Sequence, residues 1–221
     1  MYLLLNKTID NPNFLNFNYL SNISLDEFKK LLEGNVEIPL LIDRYNNLIS
    51  LSEVVSNKMN NNFYNYIKDI NNDEDLFSII INEFLDVFND ISNYKGKTIF
   101  LYKLAQLITS DILHVKQIKE NALVDYSHIV GCADYKIPQI LRNLGILEFH
   151  PALEELVDNR IEIPKDSEME IEIRANTIIA IKELSKKFET NPIDINDRLW
   201  LKSQEKNIAQ KPYHLTRNRF Y

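Results

Sequence analysis

The chain has 221 residues, of which 45% are hydrophobic and 26% are charged, proportions typical of a globular protein. Its formal net charge of −7 argues against a duplex nucleic-acid binder, because such proteins gain affinity by neutralising phosphates with Lys and Arg. The single cysteine, Cys132, excludes an internal disulfide, and no apolar run reaches the length of a transmembrane helix. We therefore expect a cytoplasmic protein without a membrane partner.

Low glycine content and sequence signals for the starts and ends of helices predict an all-α fold. Only four glycines occur, too few for glycine-rich phosphate loops or many hairpin turns. Ser24 and Glu27 have the spacing of a capping box, and apolar residues recur at helical spacing along most of the chain. The predicted helices are 24–34, a long helix after Pro39, 74–88, 97–115, 135–144, 168–188 and 194–208. We expect one domain over residues 1–221, with little or no sheet and with residues 97–114 buried at its centre.

The helix predicted over 97–115 carries polar residues on one face. Lys103, Gln106 and Ser110 are three or four positions apart, so they share a face of a helix that is otherwise rich in Leu and Ile. Burying an ammonium group costs free energy unless it has a charged partner or reaches water along its apolar stem. The pattern leaves two interpretations open, a functional cation and a snorkelling lysine.

Asp134 lies just before a predicted helix start. Pro138 is tolerated only in the first turn of a helix, which puts Asp134 close to the N-cap. One interpretation is plain capping. The other is a carboxylate that backbone amides keep ionised and direct at a cation.

The segment 212–221 combines aromatic rings with basic residues in an acidic chain. The basic residues that follow Glu205, with no acidic residue among them, are Lys206, Lys211, Arg217 and Arg219. A frayed tail is usually polar and lacks large rings, so we expect a docked segment that supplies an anion site. The alternative is a basic segment that packs for stability alone.

Five groups of residues resemble the motifs of the queuosine salvage proteins, in the same order along the chain. They are Tyr102-Lys103 with Ala105-Gln106, Ala133-Asp134-Tyr135 through Pro138-Gln139 to Leu141-Arg142, Leu144-Gly145 with Leu147-Glu148, Glu170-Ile171-Glu172-Ile173-Arg174-Ala175, and Tyr213-His214 through Thr216-Arg217 to Tyr221. That family hydrolyses queuosine 5′-phosphate and releases queuine, a 7-deazaguanine base, for tRNA modification. It is in turn similar to helix-hairpin-helix DNA glycosylases, in which a lysine is followed by an aspartate that opens a helix. The resemblance implies that all-α architecture for this chain.

The resemblance also implies roles for individual residues. Asp134 is expected to stabilise the cationic transition state and to position water, and Lys103 to polarise the base or to hold Asp134. A covalent Schiff base on Lys103 ranks below simple hydrolysis. The residues expected to contact substrate are Tyr102, Gln106, Asp111, Tyr135, Gln139, Arg142, Glu172, Arg174, Trp200, His214 and Arg217. No metal and no other cofactor is expected.

Two of the expected contacts have a stated chemistry. The 5′-phosphate is assigned to His214 and Arg217, because a guanidinium can bind it through two hydrogen bonds. Queuine carries a secondary amine that is cationic near neutral pH, for which Glu172 and Asp111 are the candidate partners. Glu172 has a second interpretation, an ion pair with Arg174.

Members of the family extend further upstream than this chain, and the upstream part includes an Asn-Phe-aromatic segment that helps to enclose the base. Asn16-Phe17-Asn18-Tyr19 is only superficially similar to that segment. We therefore expect a chain that lacks the first part of the family and that could associate with a separate N-terminal fragment.

Two alternatives remain for the function. A DNA or RNA base-excision glycosylase would perform the same reaction on a polymer, but base extrusion needs a cationic surface, and the net charge is −7. The second alternative is a non-catalytic helical binding protein, a degenerate or split relative of the same family.

Overall fold

A computed structural model describes residues 2–32, 34–36, 38–205 and 210–221. Within them the chain forms twelve α-helices, one 3-10 helix and one two-stranded sheet, so the predicted all-α class is confirmed. The chain divides into two compact units, Met1–Ile70 with Ile79–Val87 and Asn71–Ser78 with Phe88–Tyr221. The expectation of a single domain stays a prediction. None of the described helices is long and apolar enough to cross a membrane.

The first unit is built from short helices that polar side chains cap. Its helices are α1 (Tyr2–Asp10), a 3-10 helix (Pro12–Leu15), α2 (Phe17–Leu20), α3 (Leu25–Leu31), α4 (Leu41–Lys58) and α5 (Phe63–Ile67). The predicted capping box is present at the start of α3, where Glu27 N donates to Ser24 Oγ at 3.2 Å and Ser24 N donates to the Glu27 carboxylate at 2.9 Å. Helix α4 packs against α2 and α3.

Helix α6 (Asp73–Glu83) begins in the second unit, and its residues from Ile79 onward belong to the first. The short helix α7 (Leu85–Phe88) follows it. The helix predicted over 74–88 is therefore interrupted at Phe84.

A β-hairpin replaces the start of the helix predicted over 97–115. Strands β1 (Ile91–Tyr94) and β2 (Lys97–Phe100) pair in antiparallel orientation. The two residues between them, Lys95 and Gly96, have φ values of 50° and 80°, as a tight hairpin turn requires. The prediction of helix at this point was wrong because the turn and the β-branched and aromatic residues of β2 favour a strand.

The helices of the second unit that follow the hairpin include one long central helix. They are α8 (Lys103–Glu120), α9 (Lys136–Asn143), α10 (Pro151–Asp158), α11 (Glu168–Phe188) and α12 (Pro192–Ser203). The central helix is α11, which contacts α9, α12 and β1. The buried core between α9, α11 and α12 consists of Ile137, Ile140, Leu141, Ile181, Ile195 and Leu199. Each such side chain contributes about 1.5–3 kcal/mol of burial free energy, so this core fixes the helices that carry the site.

The helices predicted over 135–144 and 168–188 correspond to α9 and α11. The helix predicted over 194–208 corresponds to α12, which ends at Ser203, and residues 206–208 lie outside the described part of the chain. Helix α10 was not predicted.

Helix α8 buries its polar face more completely than its aliphatic one. Lys103, Gln106 and Ser110 are buried together with Ala105 and Leu113. The aliphatic side chains that remain half-buried are Leu104, Leu107, Ile108 and Ile112. The expected burial of 97–114 is wrong for the strand before the helix, where Phe100 is 60% exposed.

The loop before α9 makes a close approach to α11 at Gly131. Gly131 has a φ of +109°, and a Cβ atom built there would lie 2.8 Å from Cδ1 of Ile181. Glycine is required at this position for both its backbone conformation and the lack of a side chain.

We expect Gly131→Ala to lower the thermal unfolding temperature, because overpacking costs about 1–3 kcal/mol and the left-handed backbone adds about 1–2 kcal/mol. Gly145→Ala is the matched control: its φ is +69°, but no atom lies within 4 Å of the added Cβ, so only the backbone cost applies. Calorimetry of both variants measures the difference. Equal losses would contradict the tight packing of Gly131 against Ile181.

Candidate active site

Asp90 fixes the start of the helix that carries Lys103. The carbonyl oxygen of Asp90 accepts hydrogen bonds from Leu101 N at 3.0 Å and Tyr102 N at 3.2 Å, and its Oδ2 accepts one from Lys103 N at 3.0 Å. Tyr102 itself has a φ of 47° and makes no side-chain capping hydrogen bond. Asp90 therefore satisfies two of the N–H groups left free at this helix end, those of Tyr102 and Lys103, in place of an ordinary N-cap residue.

The polar face of α8 is buried and hydrogen-bonded. Lys103 is 7% exposed and Gln106 is 6% exposed, so the lysine does not extend to bulk water along its stem. Gln106 Nε2 donates to Leu101 O at 2.9 Å, and Gln106 Oε1 accepts from Val130 N at 2.9 Å. Gln106 thus connects the start of α8 to the loop that leads to Asp134.

The carboxylate of Asp134 is held at the N-terminus of α9. Its Oδ1 accepts hydrogen bonds from Lys136 N at 2.7 Å and from Ile137 N at 2.8 Å. Hydrogen bonds of this kind stabilise the ionised carboxylate. The arrangement is what capping requires, and it also holds a charged carboxylate in a fixed orientation.

The charges of four side chains act on the buried thiol of Cys132. Burial raises the pKa of Cys132 to about 12, an effect that the cation Lys103 opposes and the carboxylates of Asp134, Asp197 and Asp111 reinforce. Three residues that the sequence predicted therefore act on this thiol through their charges, namely Lys103, Asp111 and Asp134, and Asp197 does so as well. The thiol itself is 3% exposed and protonated, so it is not a nucleophile.

Helix α12 contributes two residues that the sequence analysis missed. Asn196 is buried, accepts a hydrogen bond from Cys132 N at 3.0 Å and donates from Nδ2 to Asp197 Oδ1 at 3.3 Å. A signal for Asn196 exists in the sequence. It lies three positions from both Ile193 and Leu199, so an amide stands on the apolar face of the helix.

Asp111 is partly exposed, yet packing around its carboxyl group raises its pKa. The positive charges of His114 and Lys103 oppose this shift, and the negative charge of Asp197 adds to it. Residues whose pKa is shifted by packing and by nearby charges are often found at functional sites.

Other predicted residues line cavities elsewhere in the second unit. Tyr102 and Gln106 line a cavity of about 260 Å³, with aromatic walls that include Phe77 and Phe100. Glu172 lines a separate cavity of about 640 Å³ between α10 and α11. The Glu172 carboxylate also accepts a hydrogen bond from the hydroxyl of Tyr94.

The guanidinium groups of two predicted arginines are directed at protein carboxylates. Arg142 donates to Glu154 at 2.6 Å and to Asp158 at 2.7 Å. Arg174 is fully buried and makes a bidentate ion pair with Asp90. The expected substrate contacts of both arginines stay predictions.

Two more predicted contact residues lie near the C-terminal segment or on α12. Gln139 donates from Nε2 to Lys211 O at 2.6 Å. Trp200 is 45% exposed on the surface of α12.

The C-terminal segment is docked. His214, Asn218 and Phe220 are buried, and the ring of Tyr221 lies in an edge-on contact with Tyr135, 6.5 Å between centroids. Tyr135 immediately follows Asp134, so the segment packs beside the predicted catalytic loop. Lys206, the first of the basic residues, lies outside the described part of the chain.

The two residues predicted to bind phosphate have different surroundings. His214 is 2% exposed and its Nε2 lies 3.0 Å from the hydroxyl of Tyr221. Burial, together with the positive charge of Arg174, lowers the pKa of His214 to about 4, so the imidazole is neutral at pH 7. The side chain of Arg217 is 78% exposed and pairs with Glu162 at 3.5 Å.

Asp73, Asp125 and His128 form a group whose ligand atoms lie within 4.8 Å of one another. The sequence analysis did not indicate this group, because Asp73 lies 55 positions before His128 along the chain. Asp73 Oδ2 accepts from the backbone N of His128 and of Ile129, each at 2.7 Å, and Oδ1 lies 3.1 Å from His128 Nδ1. These bonds account for the buried carboxylate without an ion.

The sequence that forms this site matches a known protein family. Residues 2–221 match the family described as "Queuosine salvage protein". The chain belongs to the queuosine salvage protein family. The resemblance that the motifs suggested is therefore confirmed over nearly the whole sequence.

Relatives in this family carry the name queuosine 5′-phosphate N-glycosylase/hydrolase. The protein of Sphaerobacter thermophilus is 32% identical over 209 residues, which cover 92% of this chain and 65% of the relative. That of Dictyostelium discoideum is 28% identical over 224 residues, 99% of this chain and 69% of the relative. That of Mus musculus is 28% identical over 222 residues, which cover 92% of this chain and 65% of the relative. The chain thus spans about two thirds of the length of these queuosine salvage proteins.

We expect this queuosine salvage protein to lose stability as the pH falls from 6.5 toward about 4, because in that range the unfolded His214 binds a proton that the folded one does not. The upper bound is about 3 kcal/mol, since one pKa unit corresponds to about 1.4 kcal/mol. His214→Gln should flatten the profile of unfolding temperature against pH. His150→Asn, which keeps an N-cap acceptor at an exposed position, should not. An unchanged profile in His214→Gln would show that His214 does not titrate in this way.

Proposed function

We propose that this chain is an N-glycosyl hydrolase that releases queuine from queuosine 5′-phosphate or queuosine. Membership of the queuosine salvage family and the activity for which its relatives are named support the proposal. The observation that carries it is the carboxylate of Asp134, which two backbone amides hold at the N-terminus of α9, and whose charge, like that of the buried Lys103, acts on the thiol of Cys132. The substrate is a small nucleotide or nucleoside and not a nucleic-acid duplex.

The proposed role of Asp134 follows from the transition state of N-glycoside cleavage. As the bond between base and ribose breaks, positive charge develops on the sugar. A carboxylate fixed in advance stabilises that charge without reorganising during the reaction. The same carboxylate can position the water that attacks the sugar.

The proposed role of Lys103 follows from the leaving group. A 7-deazapurine has carbon in place of N7, so it cannot be activated by protonation at that atom. A buried cation can instead polarise the departing base or keep Asp134 in its orientation. A Schiff base on Lys103 is the less favoured route, because hydrolysis to free base and sugar needs no covalent intermediate.

Recognition of the two ends of the substrate is a further part of the proposal. Asp111 lies in the cluster around Cys132, whereas Glu172 lines the cavity between α10 and α11, so Asp111 is the favoured partner for the cationic amine of queuine. A neutral His214 contributes a hydrogen bond and no charge to a phosphate site. Arg217 would then supply the charge.

A cytoplasmic location and association with a separate N-terminal fragment stay predictions.

Release of queuine by the purified chain, followed by mass spectrometry with queuosine 5′-phosphate as substrate, tests the function. We expect Asp134→Asn to lower turnover by roughly 100-fold or more, because it removes the charge that stabilises the transition state. Its unfolding temperature should hardly change, because Asn caps a helix almost as well as Asp.

Asp125→Asn is the matched control, since Asp125 also accepts a backbone hydrogen bond, from Ser127 N at 3.0 Å, but lies outside the cluster around Cys132. It should retain full turnover. Full activity of Asp134→Asn would establish that Asp134 is only a helix cap. Absence of queuine with the unmodified chain would overturn the function, and a mobility shift with duplex DNA at low salt would point to a base-excision glycosylase.

We expect Arg217→Ala to weaken hydrolysis of the nucleotide more than that of the nucleoside. Loss of one charged hydrogen bond is worth roughly 1.5–3 kcal/mol, or about 10- to 100-fold in the ratio of kcat/KM values, and the exposure of Arg217 favours the lower end. Steady-state kinetics with both substrates measure the ratio. Glu162→Gln, which frees Arg217 from its ion pair, should not reduce nucleotide use. Equal losses on both substrates would remove Arg217 from the phosphate site.

A further inference from the structure

Asp90 and Arg174 form an ion pair that is sealed from water. Asp90 is 2% exposed and Arg174 is 0% exposed. Nη1 and Nη2 of Arg174 each donate to one carboxylate oxygen of Asp90, the first at 2.9 Å. Burial opposes the charge of Arg174, but the hydrogen bonds and the charge of Asp90 outweigh it, so the pKa of Arg174 is raised.

This pair touches both segments that carry the proposed catalytic groups. On one side, Asp90 Oδ2 accepts the hydrogen bond from Lys103 N at 3.0 Å. On the other side, Arg174 Nε lies 3.4 Å from the carbonyl oxygen of Ala133, the residue before Asp134. One continuous path of hydrogen bonds therefore runs from the backbone of Lys103 to the backbone next to Asp134.

Further groups contact the guanidinium of Arg174 in addition to Asp90. Glu170 lies 3.5 Å from Nη1 and accepts a hydrogen bond from the hydroxyl of Tyr221 at 2.8 Å. Asn218 Nδ2 donates to the same carboxylate oxygen at 3.3 Å. The ring of Tyr221 lies over the guanidinium, 5.3 Å from its centroid. Arg174 is therefore held in one place and cannot swing toward a ligand without losing these contacts.

Stability alone does not explain such a pair. Removing two charges from water costs several kcal/mol, and well-packed apolar residues in place of a buried ion pair are often equally stable or more so. What the pair supplies that apolar residues would not is a directional link between two backbones. The link connects the helix of Lys103 with the loop of Asp134.

We propose that Asp90 and Arg174 are positioning residues that set the geometry of Lys103 relative to Asp134. The inference rests on the proposed function and assigns Arg174 a role other than contact with substrate. Neither residue touches the reacting atoms. Their effect reaches the reaction through the backbone at positions 101–103 and 133.

A double-mutant cycle tests this role by kinetics. We expect Asp90→Asn to lower kcat by roughly 10- to 100-fold with KM within about threefold of the unmodified value, because displacement of a catalytic group by about 1 Å can cost about 100-fold. In a Lys103→Met background, the same substitution should cost less than about threefold, because the group that it positions is already gone. Equal losses in both backgrounds would overturn the proposal.

Asp90→Asn leaves the buried charge of Arg174 without its main partner, so a second variant guards against simple unfolding. Asp90→Asn/Arg174→Gln removes both charges, which proteins tolerate better than removal of one. It should fold and still show the loss of kcat. A folded double variant with unchanged kcat would also overturn the proposal.

Val157→Ala is the control for loss of stability. Val157 is buried in an apolar cluster with Leu153, Ile163 and Ile173, which includes neither member of the ion pair. The substitution leaves a small cavity and should lower the unfolding temperature, but it should not change kcat at a temperature where the variant is folded. If Val157→Ala lowers kcat as much as the ion-pair variants do, the ion pair acts only by stabilising the fold.

A spectroscopic measurement separates this inference from the proposed function. In NMR spectra, Arg174→Gln should move the ¹³Cε resonance of Lys103, and Asp90→Asn should move the ¹³Cγ resonance of Asp134, because each residue acts across the pair. Val157→Ala should move neither. If the unmodified chain releases no queuine, the function fails while these shifts still decide the positioning role. Unmoved resonances in folded variants would overturn the positioning role even if the chain is active.

Discussion

The guanidinium of Arg174 carries a positive charge and is buried from water, so neighbouring protein groups must supply its hydrogen bonds. A buried charge is tolerated only when its hydrogen-bonding capacity is met by groups of opposite charge or polarity. Asp90, Glu170 and the carbonyl of Ala133 meet it, and they come from the residue before the hairpin, from α11 and from the loop before α9. Two segments distant in sequence from α11 are thereby tied to one group on that central helix.

The same constraint explains why the C-terminal segment is ordered beside the site. Glu170 accepts hydrogen bonds from Asn218 and Tyr221 in addition to its contact with Arg174, so the segment completes the solvation of a buried carboxylate. His214, in contact with Tyr221, remains neutral in these surroundings because it is buried and lies near the charge of Arg174. The segment is thus part of the interior, and its aromatic rings replace water.

Local signals in the sequence predicted much of the architecture, and the failures have physical causes. The capping box at Ser24 and the helix over 168–188 depend on residues within a few positions of one another, and both were found. The hairpin at residues 91–100 was missed because its strands are four residues each and apolar residues of β2 also fit a helical period. For the site, motif resemblance pointed to Lys103 and Asp134. Asp90 and Asp197 depend on contacts between distant segments, which no local pattern encodes.

The remote capping of α8 has a consequence for how this region can vary. Asp90 directly precedes the hairpin, and Leu101, Tyr102 and Lys103 directly follow it. Hydrogen bonds from these three backbone N–H groups to Asp90 therefore hold the two ends of the hairpin together. We expect changes in the length or composition of the turn at Lys95 and Gly96 to alter the turn alone. The backbone at Lys103 keeps its position, because its hydrogen bond to Asp90 does not depend on the turn. The turn at Lys95 and Gly96, unlike strand β1, which contacts α11, is therefore a place where the protein can diverge, or accept an inserted label, while the geometry of the adjoining helix start is inherited unchanged.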